Sequence, residues 1–323
     1  MPGLRQDFAK GMINDMYGYY FDGESYDTEP TVFDKIFQEK KIDGAYWQTT
    51  SVVDMEEYTE TPETEGYTFD SPIEGYTVIG KARTFTAGKS FTYDAVEDHQ
   101  KIKDILRQSA EGWGRGKKRT MEKFFAKFFN YGGYTAGHEV FNGSITNVVT
   151  DSSGNYVYDS KPFFNLSGNK RSSKGGGTYY NGLSLTFNAD NLKTLYLLGT
   201  VTNSYNEDDS EVDIDYDYIL YPGNLQFDVR EVLESTLVPG KTDNTKNVLQ
   251  DLLEPIKWQY LTNANAFFIG KKKKGLLWLN RRGVHMDFFD DKKARRWRAV
   301  SSLRFGGMVT NWRFHAGSNF STS

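Results

Sequence analysis

Residues 93–130, YDAVEDHQKIKDILRQSAEGWGRGKKRTMEKFFAKFFN, decide the fold. Apolar side chains fall at Ile102, Ile105, Leu106, Ala110, Trp113, Met121, Phe124, Phe125, Phe128 and Phe129. Steps of three, four and seven gather them on one side of an α-helix with 3.6 residues per turn. At 1.5 Å per residue the stretch reaches roughly 50 Å. Gly112, Gly114 and Gly116 weaken its middle, so a bend or break is expected there. The opposite face is expected to be basic, with Arg115, Lys117, Lys118, Arg119, Lys123 and Lys127. Such a helix alone is compatible with an ordinary core element, and the segments around it decide what it belongs to.

Upstream, residues 67–69 and 76–85 have strand character, and the second run alternates Tyr76, Val78, Gly80 and Ala82 with Thr77, Ile79, Lys81 and Arg83. They predict a long hairpin that is polar on both faces, marginal alone and expected to rest on a neighbouring subunit. Between it and the start lie a short helix over 31–39, a strand over 45–53 and the acidic loop EYTETPETEG at 57–66. Residues 1–35 predict a short helix near 4–16, then a tyrosine-rich arm with no core of its own.

Downstream, the chain turns glycine- and serine-rich at YGGYTAG (131–137), DSSGN (151–155) and SGNKRSSKGGG (167–177), with short strands over 144–150 and 156–158. A helix over 189–202 opens on Asn or Asp. A strand over 212–221, a helix over 225–235 bearing Phe227, Val229, Val232 and Leu233, and a strand over 266–270 complete an α/β unit. The tail reads as antiparallel strands over 276–279, 284–289, 297–305 and 308–314.

The 323 residues contain 15% aromatics, with 23 Phe and 21 Tyr, and 31 Gly, a composition suited to strands, turns and large contact surfaces. The formal charge of −4 excludes a protein that is basic throughout and leaves local clusters at 115–119, 271–274, 281–282 and 292–298. Cysteine is absent, which removes disulfides, thiolate metal sites and a cysteine nucleophile. The start has no signal-type apolar run, and no stretch approaches 18 apolar residues, so a soluble intracellular product is expected.

Several motifs carry a resemblance. They are KPFF (161–164) with GGGTYYNG (175–182), DYILYPGNL (217–225) leading to VLEST (232–236) and DNTKN (243–247), LTNANAFFI (261–269), LRFGG (303–307) and NWRFHAG (311–317). With the order of elements, they make the chain resemble the major capsid proteins of tailed bacteriophages with the Hong Kong 97-type α+β fold, and among them the Mu-like major head subunits. The resemblance implies an N-terminal arm at 1–35, a first piece of the peripheral domain at 36–61 and an E-loop at 62–95. It further implies a peripheral segment at 96–184 with the spine helix at 96–130, an axial domain at 185–270, and peripheral C-terminal strands at 271–323.

It implies a subunit of hexamers and pentamers in an icosahedral virion capsid assembled in the host cytoplasm around double-stranded DNA. Its partners would be other copies, a separate scaffold protein, a portal protein and decoration proteins, with no membrane. The resemblance assigns intersubunit contacts to Tyr67, Phe69, Tyr76, Lys81, Arg83 and Phe85 of the E-loop. The basic cluster Arg115, Lys117, Lys118 and Arg119 would face the DNA, and Gly112, Gly114 and Gly116 would form a hinge. Cross-linking of Lys81 or Lys89 to Asn319 is not expected, since no motif supplies the assisting carboxylate. An encapsulin-like compartment, a β-rich tail or glycan-binding protein, and an Asp/Glu hydrolase are the other classes open to this sequence.

Catalytic and metal motifs fall short. Gly88-Lys89-Ser90 would need glycine where Arg83 stands to be a phosphate loop. Asp213, Asp215 and Asp217 would need glycine where Tyr218 stands to begin a calcium loop. His99, His138, His285 and His315 are scattered without metal spacing. No catalytic residue, cofactor or metal is expected.

Overall fold

The computed structural model describes residues 15, 18–23, 31–52, 74–93, 102–134, 150–151, 161–237 and 246–322. Apart from residues 15 and 150, the expected helix at 4–16 and the expected strands at 67–69, 144–150 and 156–158 lie outside these residues. So do Tyr67 and Phe69.

The long helix, α2 (Ile102–Asn130), follows a single turn, α1 (Val32–Ile36). It runs unbroken through Gly112, Gly114 and Gly116, so the expected break is absent. Helical hydrogen bonding between successive turns tolerates glycine at a cost of about 1 kcal/mol each against alanine, and the flanking turns carry it. The helix spans about 44 Å. Its C-terminal half is buried along Met121, Phe124, Phe125, Phe128 and Phe129, which interlock with Phe33 and Phe37 from the α1 region.

Two sheets flank this helix. The first has the order β1 (Gln38–Lys41), β12 (Leu276–Asp291), β13 (Arg296–Val309), β4 (Arg83–Thr92). β12 and β13 form one antiparallel ribbon of 16 and 14 residues, with bulges between Asn280 and His285 where separate short strands were expected. A second small sheet pairs β2 (Tyr46–Val52) with β3 (Glu74–Lys81) and β3 with β5 (Thr150–Asp151). β3 lies so close to the ribbon that a Cβ on Gly80 would stand 2.6 Å from Leu279 Cδ1 and 2.9 Å from Met308 Sδ.

The strand expected over 76–85 is therefore divided at Ala82, and β4 does not project in search of a foreign partner. It pairs antiparallel with β13 of its own chain, Phe85 opposite Leu303. Strand pairing satisfies the backbone groups that a solitary hairpin would leave open. Where it is described, the arm lies on the body of its own chain. Residues 18–23 are helical, and Tyr20 is buried against Ala110, Met286 and Phe288. Gly23 crosses α2 where a Cβ would meet the Glu111 backbone at 2.4 Å.

The remaining sheet has the order β10 (Glu254–Lys257), β9 (Tyr218–Tyr221), β11 (Phe267–Gly270), β14 (His315–Ser318), β8 (Gly182–Leu183). Alternation sends Tyr218, Leu220 and Phe268 to the core of α2, and Ile219, Tyr221, Phe267 and Ile269 to a second core under α3 (Ala189–Leu197) and α4 (Gln226–Glu234). α3 opens as expected on Asn188, whose side chain accepts from Asn191 N at 2.8 Å, and continues as a π-turn over Leu198–Thr202.

Three expectations change here. The sheet takes β8 and β14 from outside 185–270, because β14 is the strand that covers the open edge of β11. β9 starts at Tyr218, although residues 213–217 keep an exposed–buried alternation. Phe227 is 80% exposed rather than part of the core. Val229, Val232 and Leu233 fill the inner arc of α4 and leave Phe227 on the solvent side.

Candidate functional site

α2 carries the chain's main tie point. Glu122 stands seven residues before Phe129, which places it on the same face of the helix. Val32 N, the first turn of α1, donates to Glu122 Oε1 at 2.6 Å, and Trp258 Nε1 donates to Oε2 at 2.5 Å. One carboxylate so joins the helix, α1 and the segment after β10. Burial pushes its pKa up to about 7, against the lowering effect of the two donors. Two turns further on, Asn130 Nδ2 donates to Tyr260 O at 2.9 Å and its Oδ1 accepts from Thr262 N at 3.0 Å. The acid at 122 inside an apolar stripe was the sequence signal for this site.

The basic cluster is divided by the helix. Arg115 and Arg119, four residues apart, are exposed on the outer face. Lys118 is half-buried. Lys117 turns toward the sheet and lines a cavity of about 180 Å³ with Tyr20, Phe85, Trp113, Thr120 and Leu303. The four residues thus do not share one face, because positions 115 and 117 are about 200° apart around a helix. Lys123 continues the outer face over the Tyr260 ring at 5.9 Å. Lys127 is half-buried, and burial lowers its pKa, with Arg83 adding to the effect.

Among the candidate E-loop contacts, Lys81 is exposed and Arg83 half-buried. Phe85 is spent inside the chain, stacked on Phe305 at 4.4 Å and edge-on to Phe124 at 5.7 Å. Its place opposite Leu303 on an inward-facing strand position aims it there. Of the glycines, Gly114 is buried, while a Cβ on Gly112 or Gly116 would meet nothing within 4 Å. Lys89 Nζ donates to Ser109 Oγ at 3.0 Å, fastening β4 to α2.

After the π-turn, Asp209 takes a left-handed turn at φ 67° and holds the glycine-rich loop. It accepts from Ser173 Oγ at 2.5 Å, Gly177 N at 2.8 Å and Tyr179 Oη at 2.8 Å. Burial acts to raise the Asp209 carboxyl, yet these donors and Arg313 together hold it below its ordinary value. Next to it, Glu207 and Arg313 form a buried ion pair at 2.8 Å. His315 is fully buried between Tyr218 Oη at 3.1 Å and Lys274 O at 2.8 Å. Burial lowers its pKa to about 4, so it is neutral and serves as a polar strut. The sequence pattern marked neither the Glu207–Arg313 nor the Asp209 contacts, since the partners are far apart along the chain.

Elsewhere, Leu197, Val201, Phe227, Val248 and Leu252 are exposed. Among the described residues no group of three or more His, Asp or Glu is arranged to hold a metal ion, and no helix is long and apolar enough to cross a membrane.

No protein-family model and no curated protein matches the sequence. Solved structures do match. The capsid of the cyanophage P-SCSP1u superposes with a TM-score of 0.55 at 11% identity, covering 91% of this chain and 89% of that one. The fold is that of a phage capsid protein. The capsid of a native GTA particle is similar, with a TM-score of 0.54, 11% identity and 88% of each chain covered. The virus-like particle from Pyrococcus furiosus gives 0.51 at 8% identity, covering 94% of this chain and 98% of that one.

Proposed function

We propose that this chain is the major capsid protein of a tailed double-stranded DNA phage or prophage, of the Mu-like group, self-assembling into hexamers and pentamers of an icosahedral head. The reading is carried by the likeness to phage capsid proteins, which covers about nine-tenths of the chain and of its counterparts alike. The exposed apolar side chains Leu197, Val201, Phe227, Val248 and Leu252 support it, since association is the usual means of covering such groups. The role is geometric: many modest contacts per subunit multiply into a closed shell. Other copies, a scaffold, a portal and decoration proteins are its partners. DNA is met without sequence reading by Arg115 and Arg119 of the outer helix face, with Lys118 beside them.

On shell expansion α2 bends at Gly112–Gly116 while the flanking units move as nearly rigid bodies. Helix curvature compared between immature and expanded shells tests this, and equal curvature in both removes the hinge. The function itself is tested by expressing the chain and imaging it by negative stain. Icosahedral particles are expected, and a monomer at every concentration would refute the reading.

A second reading is favoured by the Pyrococcus furiosus particle, which matches over nearly the whole of both chains. In it the shell is an encapsulin-like compartment. Particles isolated from the native source separate the two, since a genome-filled head absorbs strongly as nucleic acid and a protein-filled compartment does not.

A further inference from the structure

The distal end of the β12–β13 ribbon is strongly cationic. Residues 292–298 read KKARRWR. Two carboxylates at the tip are engaged among the described residues: Asp290 accepts from the Tyr93 hydroxyl, and Asp291 pairs with Arg298 at 2.7 Å. Lys292, Lys293 and Arg296 are exposed and meet no carboxylate among the described residues. The opposite charge occurs in the loop 208–213, where Asp208 caps Ser210 and the exposed Glu211 and Asp213 meet no cation among the described residues.

These two sets cannot meet within one molecule. The acidic loop is anchored at the ribbon's root, through Glu207 to Arg313, four residues past the end of β13. The cationic tip lies a ribbon's length away, roughly 45 Å for 14 residues of strand. A nucleic acid fits the tip less well. Its outer face also presents Asp287 and the exposed ring of Phe289, which stands opposite Arg298. Carboxylates repel phosphate, while a mixed face with an apolar ring suits protein.

We propose that the ribbon tip, through Lys292, Lys293 and Arg296, docks on the acidic loop 208–213 of a second copy of this chain. The proposal rests on the shell reading only in requiring that copies associate. It makes each subunit both a prong and a socket, a head-to-tail arrangement that closes into a ring when the rotation allows. Salt weakens the contact, because both charge sets are exposed.

The chain has no cysteine, which permits a direct test. Full-length protein carrying Lys293→Cys together with Glu211→Cys is assembled and then oxidised. A ladder of disulfide-linked oligomers is expected from the double variant and none from either single variant. Particles that form without the ladder overturn the docking while the shell reading stands. A covalent dimer from Lys293→Cys alone places tip against tip and also overturns it. If the wild-type chain gives no particles by light scattering before any oxidation, the shell reading fails and the docking falls with it.

Charge exchange gives a second measure. Reversal of the tip (Lys292→Glu, Lys293→Glu, Arg296→Glu) or of the loop (Glu211→Lys, Asp213→Lys) is expected to lower particle yield at low salt about tenfold, and the combination restores it. Unchanged melting curves show that the variants fold. A tip reversal that leaves yield intact but lowers nucleic-acid content identifies a nucleic-acid partner instead, and overturns the proposal.

Discussion

Glu122 and Phe125 show how single side chains hold the long helix in place. Glu122 is raised to about 7 from 4.5, with burial the leading cause and Asp34 adding to it. Below pH 4.5 the group is protonated in both folded and unfolded chains. Between 4.5 and 7 the folded state keeps a proton that the unfolded state has lost, so stability falls as pH rises through that window and levels off above it. The loss attributable to this group is on the order of 3 kcal/mol. Urea titrations of wild type and Glu122→Gln across pH 4–8 are expected to show that decline in the wild type and its absence in the variant. Parallel pH profiles would contradict the assignment. Phe125 is fully buried and packs on Phe33, Phe37 and Phe305. Phe125→Ala is expected to cost about 3–5 kcal/mol, read as a lowered urea midpoint with little change in slope.

At the level of elements, α2 is packed along both halves but leaves two glycine positions open. Its C-terminal turns are interlocked with aromatic rings, whereas Gly112 and Gly116 face open space. Nothing steric requires glycine there, so Gly112→Ala with Gly116→Ala should stabilise the helix by about 1 kcal/mol per site. In the hinge reading the same pair slows shell expansion, which time-resolved scattering would reveal; a destabilised monomer would show instead that the glycines serve packing. The helix, α3, α4 and β11 were legible because their signals are local: apolar spacing, an Asn cap and a short apolar run. What was illegible depended on partners distant in sequence. β4 looked like a solitary hairpin arm until β13 lay beside it, and β14 looked peripheral until it closed the edge of β11. Phe227 matched the helical stripe of α4, but three neighbours sufficed to fill the core. Lys117 was misplaced because a charged residue on the inner side of a helix can reach a cavity that sequence does not disclose. Of the candidate site, the cationic segments were visible as strings of letters, while their division between faces was not.

For the whole molecule, the proposed shell raises the question of which cationic surface would meet a genome and which would meet other copies. The outer face of α2 holds Arg115 and Arg119 across a single helical step, with Lys123 following. The ribbon tip lies beside Tyr93, whose N donates to Arg295 O at 3.2 Å. If the two surfaces serve the two proposed functions, each can be lost without the other. Each phosphate neutralised by an arginine releases about one counterion, so binding that uses Arg115 and Arg119 weakens with salt by roughly one logarithmic step per contact. Arg115→Gln with Arg119→Gln is therefore expected to leave shell yield and diameter unchanged, because neither residue lies in the core or at the tip. The particles should release nucleic acid at lower salt than the wild type, with a salt dependence shallower by about two. Equal salt dependence would move the DNA-facing surface away from this face of the helix, and a fall in shell yield would assign it to contacts between subunits.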